Sequence, residues 1–242
     1  MMFESAPKQA LSPTVSLQWL NESAVLLEVG EISSDMSLLD KNKQVQAWMT
    51  AIEQNRPVWL IDCVAAYTGL LLEFDPLLID HYGLSHFLRD VKVSSQNTNT
   101  QTTYRIPVCY EPLGPSLPND MLSIKSHSGL NEETIIELHS KQAYRVYAVG
   151  FMPNFAYLGE LNKSLQTPRL EEPRIKVPAG AVAIADNQTA IYPGQSPGGW
   201  HIIGYTPLVL LNNTEFTFAV GDEIVFEPIS VDVFLQQAEE NS

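Results

Sequence analysis

Positive charge is what this chain of 242 residues has least of. It carries 14 Lys and Arg against 28 Asp and Glu, a formal charge of −14 and a pI near 4.6. Nucleic-acid binders and proteins of anionic membrane surfaces need a basic face, so both classes are disfavoured. Long apolar runs are missing too. Runs such as Val58–Ile61 and Leu208–Leu211 are far too short to span a bilayer. The N-terminus shows no basic stretch followed by an apolar one, so no secretory signal is expected. Cysteine is scarce: Cys63 and Cys109 make neither a disulfide framework nor a metal quartet. The expectation is a soluble, cytoplasmic, reduced protein without a metal site. Charged residues are only 17% of the chain, but hydrophobic residues reach 45%, enough to build a core without disulfide or metal staples.

The first half alternates strands and helices. Gln18–Leu20 and Ala24–Val29 read as strands around an Asn21-Glu22-Ser23 turn. Val45, Trp48, Met49 and Ile52 follow helical spacing, and Asn55-Arg56-Pro57 ends that helix. Val58–Ala66 and Leu70–Phe74 read as two more strands. Asp75-Pro76 looks like an N-cap with proline at N1, opening a helix to about Arg89 that buries Leu84, Phe87 and Leu88. The order β-β-α-β-β-α implies an α+β sandwich of ferredoxin-like character over 1–93.

Ser94–Thr103 is ten uncharged polar residues, expected to form a linker. The second half, 104–242, shows one clear helix, capped by Asn131 with Glu132 and Glu133 in its first turn and reaching about Ser140. Short strands then follow at Arg145–Val149, Ala181–Ala185, Ala190–Tyr192, Trp200–Ile203, Leu208–Leu211, Phe216–Ala219 and Glu223–Glu227. Closely spaced strands with Gly and Pro between them indicate a closed or half-closed β-barrel.

Several stretches could carry chemistry. Residues 140–206 hold six bases and four acids, a locally positive stretch in an acidic chain. Pro168-Arg169 and Pro173-Arg174 set two arginines on stiff backbone, suited to carboxylate or phosphate, or else to surface pairing with Glu171 and Glu172. Phe151, Pro153, Phe155 and Tyr157 form an aromatic–proline cluster that can wall a pocket or fill a core. Gly194-Gln195-Ser196-Pro197-Gly198 spells a nucleophile elbow, but Pro197 lacks the N–H that an oxyanion hole needs there. Ser196, Gly198, Gly199 and Trp200 instead read as a rigid turn with an aromatic wall. His139 could transfer protons near neutral pH or sit packed at its helix end. His81 and His86, five apart, do not share a helical face. No phosphate loop is present in the sequence.

Phe151–Leu158, Pro168-Arg169…Pro173-Arg174, Val177-Pro178-Ala179-Gly180, Gln188–Tyr192 and Ser196–Thr206 occur in an order that resembles one family, the 5-oxoprolinase B subunits. That family also contains the inhibitor of a sporulation histidine kinase and allophanate hydrolase subunit 1. The likeness is strongest over 104–228, and the family usually carries glycine at the position of Asn154. The resemblance implies an N-terminal α+β domain followed by a cyclophilin-like β-barrel. It implies one component of an ATP-dependent enzyme that opens 5-oxo-L-proline to L-glutamate, working with the A and C subunits, with ATP bound by or shared with a partner. On this reading His139, Gln188, Arg169 and Arg174 are the catalytic candidates. Phe151, Pro153, Phe155, Tyr157, Tyr192, Ser196, Gly198, Gly199, Trp200 and Thr206 are the substrate-binding candidates. The alternative is a regulator that binds and inhibits a sensor histidine kinase.

Overall fold

The computed structural model describes residues 8–30, 35–94, 101–211, 213 and 215–241. The chain divides into two compact units, Met1–Thr100 and Gln101–Ser242. Of the expected linker, residues 95–100 lie outside the described residues.

The first unit contains β1 (Gln9–Ser12), β2 (Val15–Asn21), β3 (Ala24–Val29), α1 (Leu38–Gln54), β4 (Leu60–Ala66), β5 (Gly69–Phe74) and α2 (His81–Asp90). Its sheet order is β1-β2-β3-β5-β4, with every pair antiparallel. β5 lies between β3 and β4, which α1 connects, so the unit holds a split β-α-β. Alternation makes one face of the sheet apolar: Val25, Leu27, Val29, Leu70, Leu72 and Phe74 are buried, and β3 and β5 pair Leu27 with Leu70. α1 packs on β3, β4 and β5, with Val45, Trp48 and Ile52 buried and Ser37 capping its start.

The expected helix start at Asp75 is corrected. The Asp75 carboxylate accepts from Leu77 N at 2.9 Å, which closes a local turn. α2 begins six residues later, where Asp80 accepts from Gly83 N at 2.7 Å. Leu84 and Leu88 are buried as the spacing implies, while Phe87 is half-buried, edge-on to Trp59.

The second unit contains β6 (Thr103–Val108), α3 (Met121–Ser128), α4 (Glu132–Ser140), β7 (Ala143–Val149), β8 (Ala156–Gly159), a 3-10 turn (Lys163–Leu165), β9 (Arg174–Val177), β10 (Ala181–Ala185), β11 (Gln188–Ile191), β12 (Ser196–Gly198), β13 (His201–Tyr205), β14 (Glu223–Pro228) and α5 (Val231–Glu240). The sheet runs β6-β14-β7-β8-β11-β10-β13, parallel only between β6 and β14. Its two ends meet at one point: Cys109, just past β6, exchanges backbone hydrogen bonds of 2.8 and 2.9 Å with Tyr205 in β13. The contact needs Gly204, where a Cβ would stand 2.6 Å from the Cys109 carbonyl oxygen. Among the described residues this is a single bridge, not a ladder that closes a barrel. β9 and β12 form a separate two-stranded sheet.

Two expected strands, Leu208–Leu211 and Phe216–Ala219, are not strands. The side chain of Asn154 takes their backbone groups instead. Its Nδ2 donates to Leu210 O at 3.0 Å and to Phe216 O, and its Oδ1 accepts from Phe218 N at 2.9 Å. Asn154 stands at φ 65, a conformation that asparagine and glycine tolerate.

Candidate functional site

A cleft of about 210 Å³ opens in the second unit. One wall begins at the turn after β7. Phe151 there is 63% exposed, at φ 72, and stands at the rim. Phe155 is buried beneath it, edge-on at 5.3 Å. Tyr157, Tyr192 and Trp200 pack around Phe155 with ring centroids 4.8, 5.2 and 6.2 Å away. Offset and edge-on contacts of this kind lock aromatic walls in place. Gly198 brings bare backbone against Tyr192: a Cβ there would lie 2.4 Å from the Tyr192 hydroxyl. Gly199, Pro197, Pro173, Leu170 and Arg169 complete the lining. Burial raises the Tyr192 phenol to about 12, so it stays a neutral donor.

The two predicted arginines part company. Arg169 stands at the cleft, its Nε 3.6 Å from Asp186 Oδ2, with both side chains about 60% exposed. Arg174 does not line the cleft. Its Nη2 pairs with Asp120 Oδ1 at 2.5 Å and its Nη1 donates to Trp200 O at 3.3 Å. Asp120 in turn accepts from Ile202 N at 2.7 Å and donates its own N–H to Ile202 O at 2.6 Å. Arg174 therefore ties the start of α3 to β13 and is removed from the catalytic candidates. Neither arginine has Glu171 or Glu172 as its ion-pair partner among the described residues.

His139 is also corrected. It is fully buried, stacked on Phe226 at 4.6 Å. Thr189 Oγ1 gives its proton to Ala183 O at 3.1 Å, so it must accept from His139 Nε2 at 2.9 Å. His139 Nδ1 then accepts from the Tyr110 hydroxyl at 2.7 Å. Both ring nitrogens are used, and burial lowers the imidazole to about 3. Such a histidine is a neutral core group and not a proton shuttle for the cleft.

Of the remaining predicted residues, Gln188 opens β11 opposite Ala185 and lies outside the lining. Ser196 keeps a buried hydroxyl without a hydrogen-bond partner. Thr206 accepts from Leu208 N at 3.3 Å, and Pro153 sits in the turn after β7; neither is among the residues that line the cleft. The sequence reading missed Asp120 and Asp186, partners brought in from distant positions, and Leu170, Pro173 and Pro197, which the motifs spanned without marking. It also missed His201, whose Nε2 donates to Pro168 O at 3.0 Å.

Two further concavities lie in the first unit, away from the predicted site residues. One of about 560 Å³ in the first unit is lined partly by Asp40, Lys43, Gln44 and Trp48 of α1. Another, about 240 Å³, is lined by His81 and His86 together, with Trp19 and Arg89, so residues five apart at a helix start do share a cavity. Among the described residues no group of three His, Cys, Asp or Glu could hold a metal ion. No described helix is long and apolar enough to cross a membrane.

Residues 15–220 match the family model described as carboxyltransferase domain, subdomain C and D. The chain is 31% identical over 229 residues to a Bacillus subtilis protein named as the B subunit of 5-oxoprolinase, covering 88% of this chain and 92% of that one. The crystal structure of TTHA0988 is similar at 34% identity and a TM-score of 0.71, over 86% of this chain; the match spans 40% of that longer chain. The Kluyveromyces lactis urea carboxylase structure shares the fold over 99% of this chain and 24% of its own, with a TM-score of 0.72 at 18% identity.

Proposed function

We propose a function from one plain premise: the chain belongs to the carboxyltransferase-domain family of subdomains C and D, as a member of the group of 5-oxoprolinase B subunits. On that premise it serves as the B component of an ATP-dependent 5-oxoprolinase in the cytoplasm, opening 5-oxo-L-proline to L-glutamate together with the A and C subunits. The first unit then corresponds to a ferredoxin-like sandwich and the second to a cyclophilin-like barrel. The split β-α-β and the Cys109–Tyr205 bridge support that reading.

The observation that carries the proposal is what the cleft has and what it lacks. Trp200, Phe155 and Tyr157 offer flat apolar walls to a five-membered ring, and Arg169 offers a fork to its carboxylate. Gly198 and Gly199 let backbone approach the lactam carbonyl, where N–H groups stabilise developing negative charge. Yet the lining has no histidine and no carboxylate to act as a general base, and Tyr192 holds its proton at neutral pH. A cleft that binds without a base suits a component that presents substrate to a partner.

ATP does not fit these residues. At about 210 Å³ the cleft falls below the ~300 Å³ at which small-molecule pockets usually begin, and Arg174 is committed to Asp120. In this reading the nucleotide is held on a partner.

The test is glutamate release from 5-oxo-L-proline and ATP, measured with the chain alone and with the A and C subunits. No turnover alone and robust turnover on assembly is expected. Turnover by the chain alone contradicts the reading. So does an inactive assembly, and inhibition of a sensor histidine kinase would then favour the regulatory alternative.

A further inference from the structure

We propose that Asp186 is a built-in stand-in for the ligand's carboxylate. It holds the Arg169 side chain at the cleft until an anionic ligand takes its place, so that Arg169 supplies the preference for small carboxylate-bearing rings over neutral ones and Asp186 moderates it. The inference rests on the lactam-binding reading above and adds a residue that tunes the affinity for the acid.

The backbone around Arg169 is fixed on both sides. Asp186 N donates to Thr167 O at 2.7 Å, His201 Nε2 donates to Pro168 O at 3.0 Å, and Leu170 N donates to Gly199 O at 2.8 Å. The carbonyl at Pro168 can only accept, so His201 carries its proton on Nε2. Arg169 is thus the one residue between these anchors, and its Cα cannot drift. Its side chain is held differently. The single contact to Asp186 runs through Nε at 3.6 Å, with 61% and 59% of the two side chains exposed. An exposed pair at that distance is weak and easily replaced.

Asp186 itself cannot follow the arginine. It sits in the short connection between β10 and β11, at φ 51, and its backbone N–H is engaged by Thr167. A ligand carboxylate in the cleft could instead meet the terminal guanidinium nitrogens as a bidentate fork, a stronger geometry than one contact through Nε. The movement needed is rotation of one exposed side chain. Arg174, at 2.5 Å from Asp120 and only 23% exposed, has no comparable freedom. A neutral ring would gain the aromatic walls alone and leave the Arg169–Asp186 pair in place.

The experiment is calorimetric titration of the full chain, assembled with the A and C subunits and without ATP. The two ligands are 5-oxo-L-proline and 2-pyrrolidinone, the same ring without the carboxylate. Asp186→Asn keeps a residue that tolerates positive φ while removing the competing charge. It should bind 5-oxo-L-proline about three-fold tighter than the unaltered chain, the scale of a lost surface pair, and bind 2-pyrrolidinone unchanged. Arg169→Gln should abolish the preference for the acid. A merely structural role for Asp186 would shift both ligands alike, and that result would overturn the exchange. Unchanged or weaker acid binding by Asp186→Asn would overturn it too, while leaving the cleft as the lactam site. If neither ligand binds any form, the lactam reading itself fails, and the exchange with it.

Discussion

Pro168-Arg169 and Pro173-Arg174 are the same dipeptide repeated five residues apart, yet the fold uses them in opposite ways. The first arginine stands in solvent at the cleft, loosely paired to Asp186. The second is folded into a network with Asp120, Ile202 and the Trp200 carbonyl. The same division separates the unit's aromatic and polar groups. Around His139, Tyr110 and Thr189 satisfy one another inside the core. Around Trp200, packed rings under an exposed Phe151 and one exposed arginine border an open volume. Residue type alone does not make a site. What counts is whether the neighbours have already used the hydrogen bonds and charge that a ligand would need.

Breaking the buried side of this comparison should cost the most. Asp120→Ala removes the partner of a mostly buried guanidinium and leaves Ile202 N unpaired. It should lower unfolding stability by about 3 kcal/mol in denaturant melts. A change below half that size would show that Arg174 finds water or another partner, and its role as a tie would be lost.

The His139 network gives the next largest effect, through pH. Folding holds this imidazole at about 3 against an ordinary value of 6.5. Between those values the unfolded chain binds a proton that the folded chain refuses, so stability falls as pH drops below 6.5. By about pH 5 the loss from this one group should approach about 2 kcal/mol. His139→Gln should flatten that part of the stability–pH curve. An unchanged slope in the variant would mean that the imidazole is protonated in the fold.

How much of this was legible in the sequence follows from how local each cause is. The strands around residues 24–29 and 69–74 alternate apolar residues, and Asn131 caps its helix as read. Asp75 and Asp80 both look like caps, and only the turn that consumes the Asp75 carboxylate decides between them. α3 carries only Met121 and Ile124 inward and shows no strong periodic stripe, whereas Val231, Phe234, Leu235 and Ala238 give α5 a helical spacing that was legible and not used. Leu208–Leu211 and Phe216–Ala219 have strand composition, but a single amide, Asn154, takes their backbone from 56 to 64 residues away. At the site, the aromatic and glycine stretches were readable as motifs because each is contiguous. The acids that sort the two arginines were not, because Asp120 meets Arg174 across 54 residues and no spacing rule reports such a pair.

The central claim is tested most directly by comparing turnover and melting temperature for Arg169→Gln and Arg174→Gln, each in the assembled complex. The cleft arginine should lose most turnover on 5-oxo-L-proline with a melting temperature close to that of the unaltered chain. The buried arginine should lose several degrees, roughly what 2–3 kcal/mol costs a unit of this size, whatever happens to its turnover. Intact turnover in Arg169→Gln, or an unshifted melting temperature in Arg174→Gln, would contradict the division of labour between the two.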